Sequence, residues 1–134
     1  MESSIKDQHL VVVTYGPGSS SAKTLGTLIK KNTSYWKPIY LPNNPSGAQM
    51  GEVIAQHGIK KIAIYLDSPD KMPMMQYEVR LLRRLLPNRT KIIIGGAIHD
   101  FIGKFCSDVI AEPHDCIEDF FTTLDQNLKY HQAS

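Results

Sequence analysis

The sequence predicts a three-layer α/β domain with five parallel strands and helices on both faces of the sheet. Three observations predict it. First, the runs His9 to Thr14 (HLVVVT), Lys60 to Leu66 (KKIAIYL) and Lys91 to Ala97 (KIIIGGA) are apolar at successive rather than alternate positions. Strands of this kind are buried on both faces, which happens mainly in parallel sheets covered by helices. Second, each run stops at turn residues: Tyr15-Gly16-Pro17-Gly18, Asp67-Ser68-Pro69 and Gly95-Gly96. Third, segments of helical period separate the runs, and alternating strands and helices imply right-handed crossovers between parallel strands.

Residues 1–8 are polar and expected to fray, as are 131–134. Strand 1 covers 9–14, and a turn-rich loop, 15–22, follows it. A helix is predicted over 21–31, with Leu25, Leu28 and Ile29 as its apolar stripe and Ser19, Ser20 or Ser21 as its N-cap. Strand 2, Trp36 to Leu41, is weaker. Its Pro38 lacks a ladder donor, so an edge position is expected. A helix over 46–57 turns Met50, Val53 and Ile54 inward and stops at Gly58. Strand 3 covers 60–66. A helix over 73–86 carries Met75, Val79, Leu82 and Leu86 on one stripe, with Met72, Met74 and Met75 as core filler. Strand 4 runs to the glycine pair. A short helix over 99–105, a short strand 5 over 107–111 and a closing helix over 115–130 complete the chain. With the weak strand at the edge and the apolar strands inside, the order is 2-1-3-4-5, that of a doubly wound flavodoxin-like sheet. Ligands of such sheets bind beyond the carboxyl ends of the strands. Here that places a site above strands 1 and 3, reached by loops 15–21, 67–72 and 95–100.

The chain of 134 residues is long enough for one domain with one core. Its apolar and charged fractions, 42% and 21%, are those of a globular protein. No apolar window of about 18 residues is present, and the N-terminus has no apolar signal segment, so a cytoplasmic protein without membrane association is expected. A net charge of +2 excludes a strongly basic nucleic-acid binder, and Arg80, Arg83, Arg84 and Arg89 read as a solvated helix face. Cys106 and Cys116 match neither a disulfide framework nor a zinc pattern.

Several chemistries use this architecture. A phosphoryl-accepting receiver needs carboxylates after strand 1 to hold Mg²⁺. Strand 1 ends in Thr14-Tyr15-Gly16, and Asp67 stands alone, which leaves at most a degenerate receiver-like domain that binds protein. A cysteine nucleophile in the first loop is absent. A flavin or nucleotide phosphate would be cradled by the glycine- and hydroxyl-rich loop 16–24, since backbone N–H groups at a helix start bind anions. Pro17 removes one such donor. No Ser/His/Asp or Cys/His set stands at a catalytic spacing, so no catalytic residue and no metal set is assigned. His99, close behind the glycine pair, reads either as a metal or haem ligand or as a surface histidine at a helix start. His57 and His114, near helix ends, are expected to meet caps or solvent.

Beyond strand 1 the chain resembles the cobalamin-binding domain family. The resemblance rests on four stretches: Tyr40-Leu41-Pro42-Asn43-Asn44-Pro45 after strand 2, Leu66-Asp67-Ser68 after strand 3, Ile92-Ile93-Ile94-Gly95-Gly96 in strand 4, and Ser107-Asp108-Val109-Ile110-Ala111-Glu112 at the end. The resemblance spans about three quarters of the chain, from strand 2 to the last helix, and its motifs are short and shared with other flavodoxin-like folds. The family's Asp-x-His-x-x-Gly, whose His ligates cobalt, is missing. Its place reads Gly16-Pro17-Gly18-Ser19-Ser20-Ser21. The resemblance therefore implies a cobalamin held without a histidine from this loop, another tetrapyrrole, or no cofactor. The candidate cofactor-binding residues are Tyr15, Gly16, Gly18, Ser19, Ser20, Asp67, Ser68, Gly95, Gly96 and His99. The expected function is a stand-alone ligand-sensing or protein-interaction module, regulatory rather than enzymatic, with a protein partner. The alternatives are a flavin- or nucleotide-phosphate-binding enzyme subunit using loop 16–24, and the degenerate receiver-like domain.

Overall fold

A computed structural model describes residues 9–18, 20–32, 36–86, 90–98 and 109–133, with side chains of the last helix as far as position 127. The elements in order are β1 (His9–Tyr15), α1 (Ser20–Asn32), β2 (Lys37–Tyr40), α2 (Gly47–His57), β3 (Lys61–Leu66), a 3₁₀ turn (Pro69–Lys71), α3 (Met72–Leu85), β4 (Lys91–Gly96), β5 (Ile110–Ala111) and α4 (Ile117–Ala133). The strands form one parallel sheet in the order β2-β1-β3-β4-β5. The expected flavodoxin-like α/β architecture and its strand order are both present. The helix expected over 99–105 and positions 107–108 of strand 5 lie outside the described residues.

Apolar residues at successive positions fill both sides of the sheet. Val11, Val13, Ile62, Ile64, Ile92 and Ile94 pack with Met50, Ile54, Met75, Val79 and Leu82 of α2 and α3. Leu10, Val12, Ala63, Tyr65 and Ile93 pack with Leu25 and Ile29 of α1 and with Phe120 and Leu124 of α4. These two clusters are the two cores of a three-layer sandwich. Of the three methionines expected as filler, Met72 and Met75 are fully buried, whereas Met74 is exposed on the outer side of α3.

Local chemistry sets the helix ends. Ser46 is the N-cap of α2: Gln49 N–H donates to its hydroxyl at 3.1 Å, and Ser46 N–H donates back to Gln49 Oε1 at 2.8 Å. Such a capping box satisfies two N–H groups that would lack a helical partner. Gly58, with φ of 62°, closes the helix by donating its N–H to Ile54 O. Only a residue without Cβ takes this left-handed turn at no steric cost. β2 is shorter than expected because Trp36 and Leu41 fall outside the ladder, and its Pro38 sits on the sheet's edge as the missing donor requires.

Candidate functional site

The carboxyl ends of β1, β3 and β4 lie level, with Tyr15 opposite Leu66 and Leu66 opposite Gly96. The sequence-derived site residues divide around this line. Tyr15 points down into the core, fully buried, and its hydroxyl donates to Pro45 O at 2.5 Å. Burial, with Glu78 nearby, pushes its phenol far above the ordinary value, so it stays protonated. It is a pillar between the sheet and the loop before α2. Gly16 and Asp67 do come together: a Cβ on Gly16 would stand 2.7 Å from Asp67 Cβ, and Asp67 N–H donates to Tyr15 O at 2.8 Å. Ser68 donates to the Asp70 carboxylate, which lowers that carboxyl's pKa. Gly18 lies on the β2 side of the same end, and Ser20 opens α1. Ser19 and His99 lie outside the described residues.

The loop after β1 is clamped by two asparagines absent from the sequence-derived set. Asn44, itself left-handed with φ of 58°, accepts from Gly16 N–H at 2.9 Å and donates to Gly16 O at 3.0 Å. Asn43 donates to the same oxygen at 2.7 Å and accepts from the Thr14 hydroxyl at 2.9 Å. One carboxamide thus takes both backbone groups of Gly16, as a neighbouring strand would.

The glycine pair has two different tasks. Gly96 has φ of +100°, and a Cβ there would collide with the backbone carbonyl of Leu66. It is glycine because the chain turns there. Gly95 has an ordinary backbone, but the space a Cβ would fill holds the Phe120 ring and His114 Nδ1, the latter at 2.6 Å.

His114 is not at a solvent-facing helix end. Its side chain is 7% exposed, and its ring packs on Phe120 with centroids 5.4 Å apart. The Thr123 hydroxyl donates to Glu112 Oε2 at 3.3 Å and lies 2.9 Å from His114 Nε2. The imidazole tautomer sets which of Thr123 and His114 donates in that contact, and Nδ1 has no hydrogen-bond partner among the described residues. Burial holds the pKa of His114 below the usual histidine value, against the opposing pull of Glu112 and Asp119. Among the described residues no three His, Cys, Asp or Glu side chains cluster as a metal site.

A cleft of about 790 Å³ opens on the β2 side, away from the line above β1 and β3. The sequence marked one of its walls, loop 16–24, and missed the other, the segment from Tyr40 to Asn43. A signal was available in Gly26, a glycine in the middle of a helix. A Cβ at Gly26 would overlap the Tyr40 hydroxyl, so the ring of Tyr40 lies against bare helix backbone.

Comparison with solved structures finds the monomethylamine corrinoid protein of Methanosarcina barkeri, with a TM-score of 0.64 and 15% identity. The match covers 92% of this chain and 59% of that one. At this identity the likeness is one of fold. No protein family matches the sequence, and no curated protein does. The fold is thus the flavodoxin-like α/β fold, which this chain shares with that corrinoid protein. No helix among the described residues is long and apolar enough to cross a membrane.

Proposed function

We propose that this chain is a cobalamin-binding-like module that works through a protein partner or a sensed ligand, with the corrinoid seat of the fold filled by its own side chains. The observation that carries the reading is the contact of Phe120 and His114 with Gly95. A glycine pair at that strand end would line a slot for the cofactor's tail, because no Cβ stands in the way. Here the gap beside Gly95 is already close-packed, and Phe120 is fully buried in it. The loop that would supply a histidine below cobalt reads Gly16-Pro17-Gly18, with Gly16 clamped by Asn43 and Asn44. The residues present therefore do not fit a histidine-ligated corrinoid at this end of the sheet.

The interaction half of the reading is supported by the outer side of α3. Met74 and Tyr77 stand exposed there, Tyr77 at 67%, and the half-exposed Leu85 flanks α2 beside Gly51. Aromatic residues and Met are enriched where proteins meet. The reading places the protein in a regulatory or enzyme complex, as a non-catalytic member.

Titration of the purified protein with hydroxocobalamin and adenosylcobalamin, followed by visible absorbance, tests the reading. The expected result is an unchanged corrinoid spectrum. A histidine-ligated spectrum that is lost in His114→Ala or His99→Ala would overturn it.

A further inference from the structure

We propose that the cleft between α1 and the end of β2 binds a small molecule joining a flat apolar ring to an anionic group, a phosphate or a carboxylate. The site is separate from the seat at Gly95 and stands apart from the reading above.

Four observations carry it. The cleft has the size of small-molecule pockets, which run from about 300 to 1,000 Å³. Its walls are mostly apolar: Ala22 from α1, Pro17 from the first loop, and Leu41 and Pro42 after β2. Among the described residues, Lys23 is the one charged side chain on its lining, and no carboxylate opposes it. Tyr40 completes it as an aromatic wall that is held in place while still 42% exposed.

The wall and the floor are built rather than incidental. A mid-helix glycine costs about 1 kcal/mol relative to alanine. At Gly26 that cost lets the Tyr40 ring sit flush against α1. Partial burial raises the Tyr40 phenol pKa above its ordinary value, so its hydroxyl remains a neutral donor. On the floor, Asn43 is fixed by its bonds to Thr14 and Gly16, so the segment after β2 is already shaped before anything binds. Preformed apolar walls with one or two placed polar groups are what ligand pockets of this class use. A flat ring stacks on Tyr40, and its anionic group meets the Lys23 ammonium.

The experiment is an NMR titration of the full chain with 1-naphthyl phosphate, 1-naphthoate, 1-naphthol and inorganic phosphate. The two ring-bearing anions should shift amides in the first turns of α1 and in 40–43, with naphthol weaker and inorganic phosphate silent. The phosphate-to-naphthoate ratio identifies the preferred anion. Lys23→Gln should weaken naphthyl phosphate about fivefold, the worth of one exposed charge pair, and leave naphthol unchanged. Lys23→Arg should restore most of the loss. Tyr40→Ala should weaken every ring-bearing probe. Shifts elsewhere on the sheet's carboxyl end, equal affinity for naphthol and naphthyl phosphate, or silence at millimolar probe would each overturn the assignment.

Discussion

The sheet face under α2 and α3 and the face under α1 and α4 bury different kinds of residue. On the first, β3 contributes Ile62, Ile64 and Leu66, and β4 contributes Ile92 and Ile94. On the second, the same strands contribute Lys61, Ala63, Tyr65, Ile93 and Gly95. Lys61 is 1% exposed. Its ammonium donates to Asn127 O at 3.3 Å and lies 5.4 Å from the centre of the Trp36 ring. Loss of hydration, with Lys91 beside it, brings its pKa down to about 8. One face is thus largely aliphatic, with the hydrogen-bonded phenol of Tyr15 at its end, and the other holds a cation, an imidazole and a glycine in buried places. Any layered α/β domain needs the first face to stay folded. The second is where this particular chain departs from that minimum.

The largest expected effect would break the comparison at its root. A carboxylate at Ile64 or at Ile93 loses its hydration in an apolar layer, so Ile64→Asp and Ile93→Asp should both abolish cooperative melting. If Ile93→Asp alone stayed soluble and melted cooperatively, the second face would be a yielding one. Next in size are the glycines. Gly96→Ala should cost several kcal/mol, on the order of 3, because positive φ and the Leu66 carbonyl both oppose a side chain. Gly95→Ala should cost about 1–3 kcal/mol by overpacking against Phe120. That cost should shrink by at least about 0.5 kcal/mol in a Phe120→Ala background, read from urea unfolding, since touching residues couple. Strict additivity of the two would deny the plug.

Lys61 gives a pH test of the same contrast. Its folded pKa of about 8 lies below the ordinary lysine value of 10.5. Between those values the unfolded chain binds a proton that the folded chain has released, so stability from this group rises with pH. Below about 8 both states are charged and the penalty for burying the ammonium is fully present. Lys61→Met should flatten the rise between pH 8 and 10.5, as followed by chemical denaturation at several pH values. The smallest effect is expected at Gly26. Alanine there gains helix propensity of about 1 kcal/mol but displaces Tyr40, for a net change within about 0.5 kcal/mol. With Tyr40→Ala already in place, the full gain should appear.

What the sequence made legible follows the same division. Uninterrupted β-branched runs identify strands buried on both sides, and Pro38 in a weak run identifies the edge, so sheet order could be read without coordinates. Gly58 after a helical stripe marked its stop for the same local reason. The site was less legible. Tyr15 ends a strand whose odd residues face the core under α2 and α3, so its ring joins that layer rather than the ligand end of the sheet. Gly95 looked open because it lacks a Cβ, but the group that fills the gap comes from Phe120, on another element. His114 looked like a surface residue because its partners, Thr123 and Gly95, are set by how α4 docks. Pairings across tens of residues leave no periodic trace. The one local anomaly that did point to a cleft wall was Gly26, a glycine inside a helix.

The clamp on Gly16 has a further consequence, for the order in which the chain opens. Gly16 belongs to no strand, yet both its backbone groups are held by Asn44, which is 28 residues away. Loop amides of this kind ordinarily exchange with solvent quickly, because nothing but local fraying must occur. Here the amide is released only when Asn44 leaves, which requires the loop after β2 to separate from the end of β1. Its hydrogen-exchange rate should therefore match those of the β1 amides rather than those of the neighbouring turn. A single slow proton in a turn would then report whether β1, α1 and β2 open as one cooperative unit.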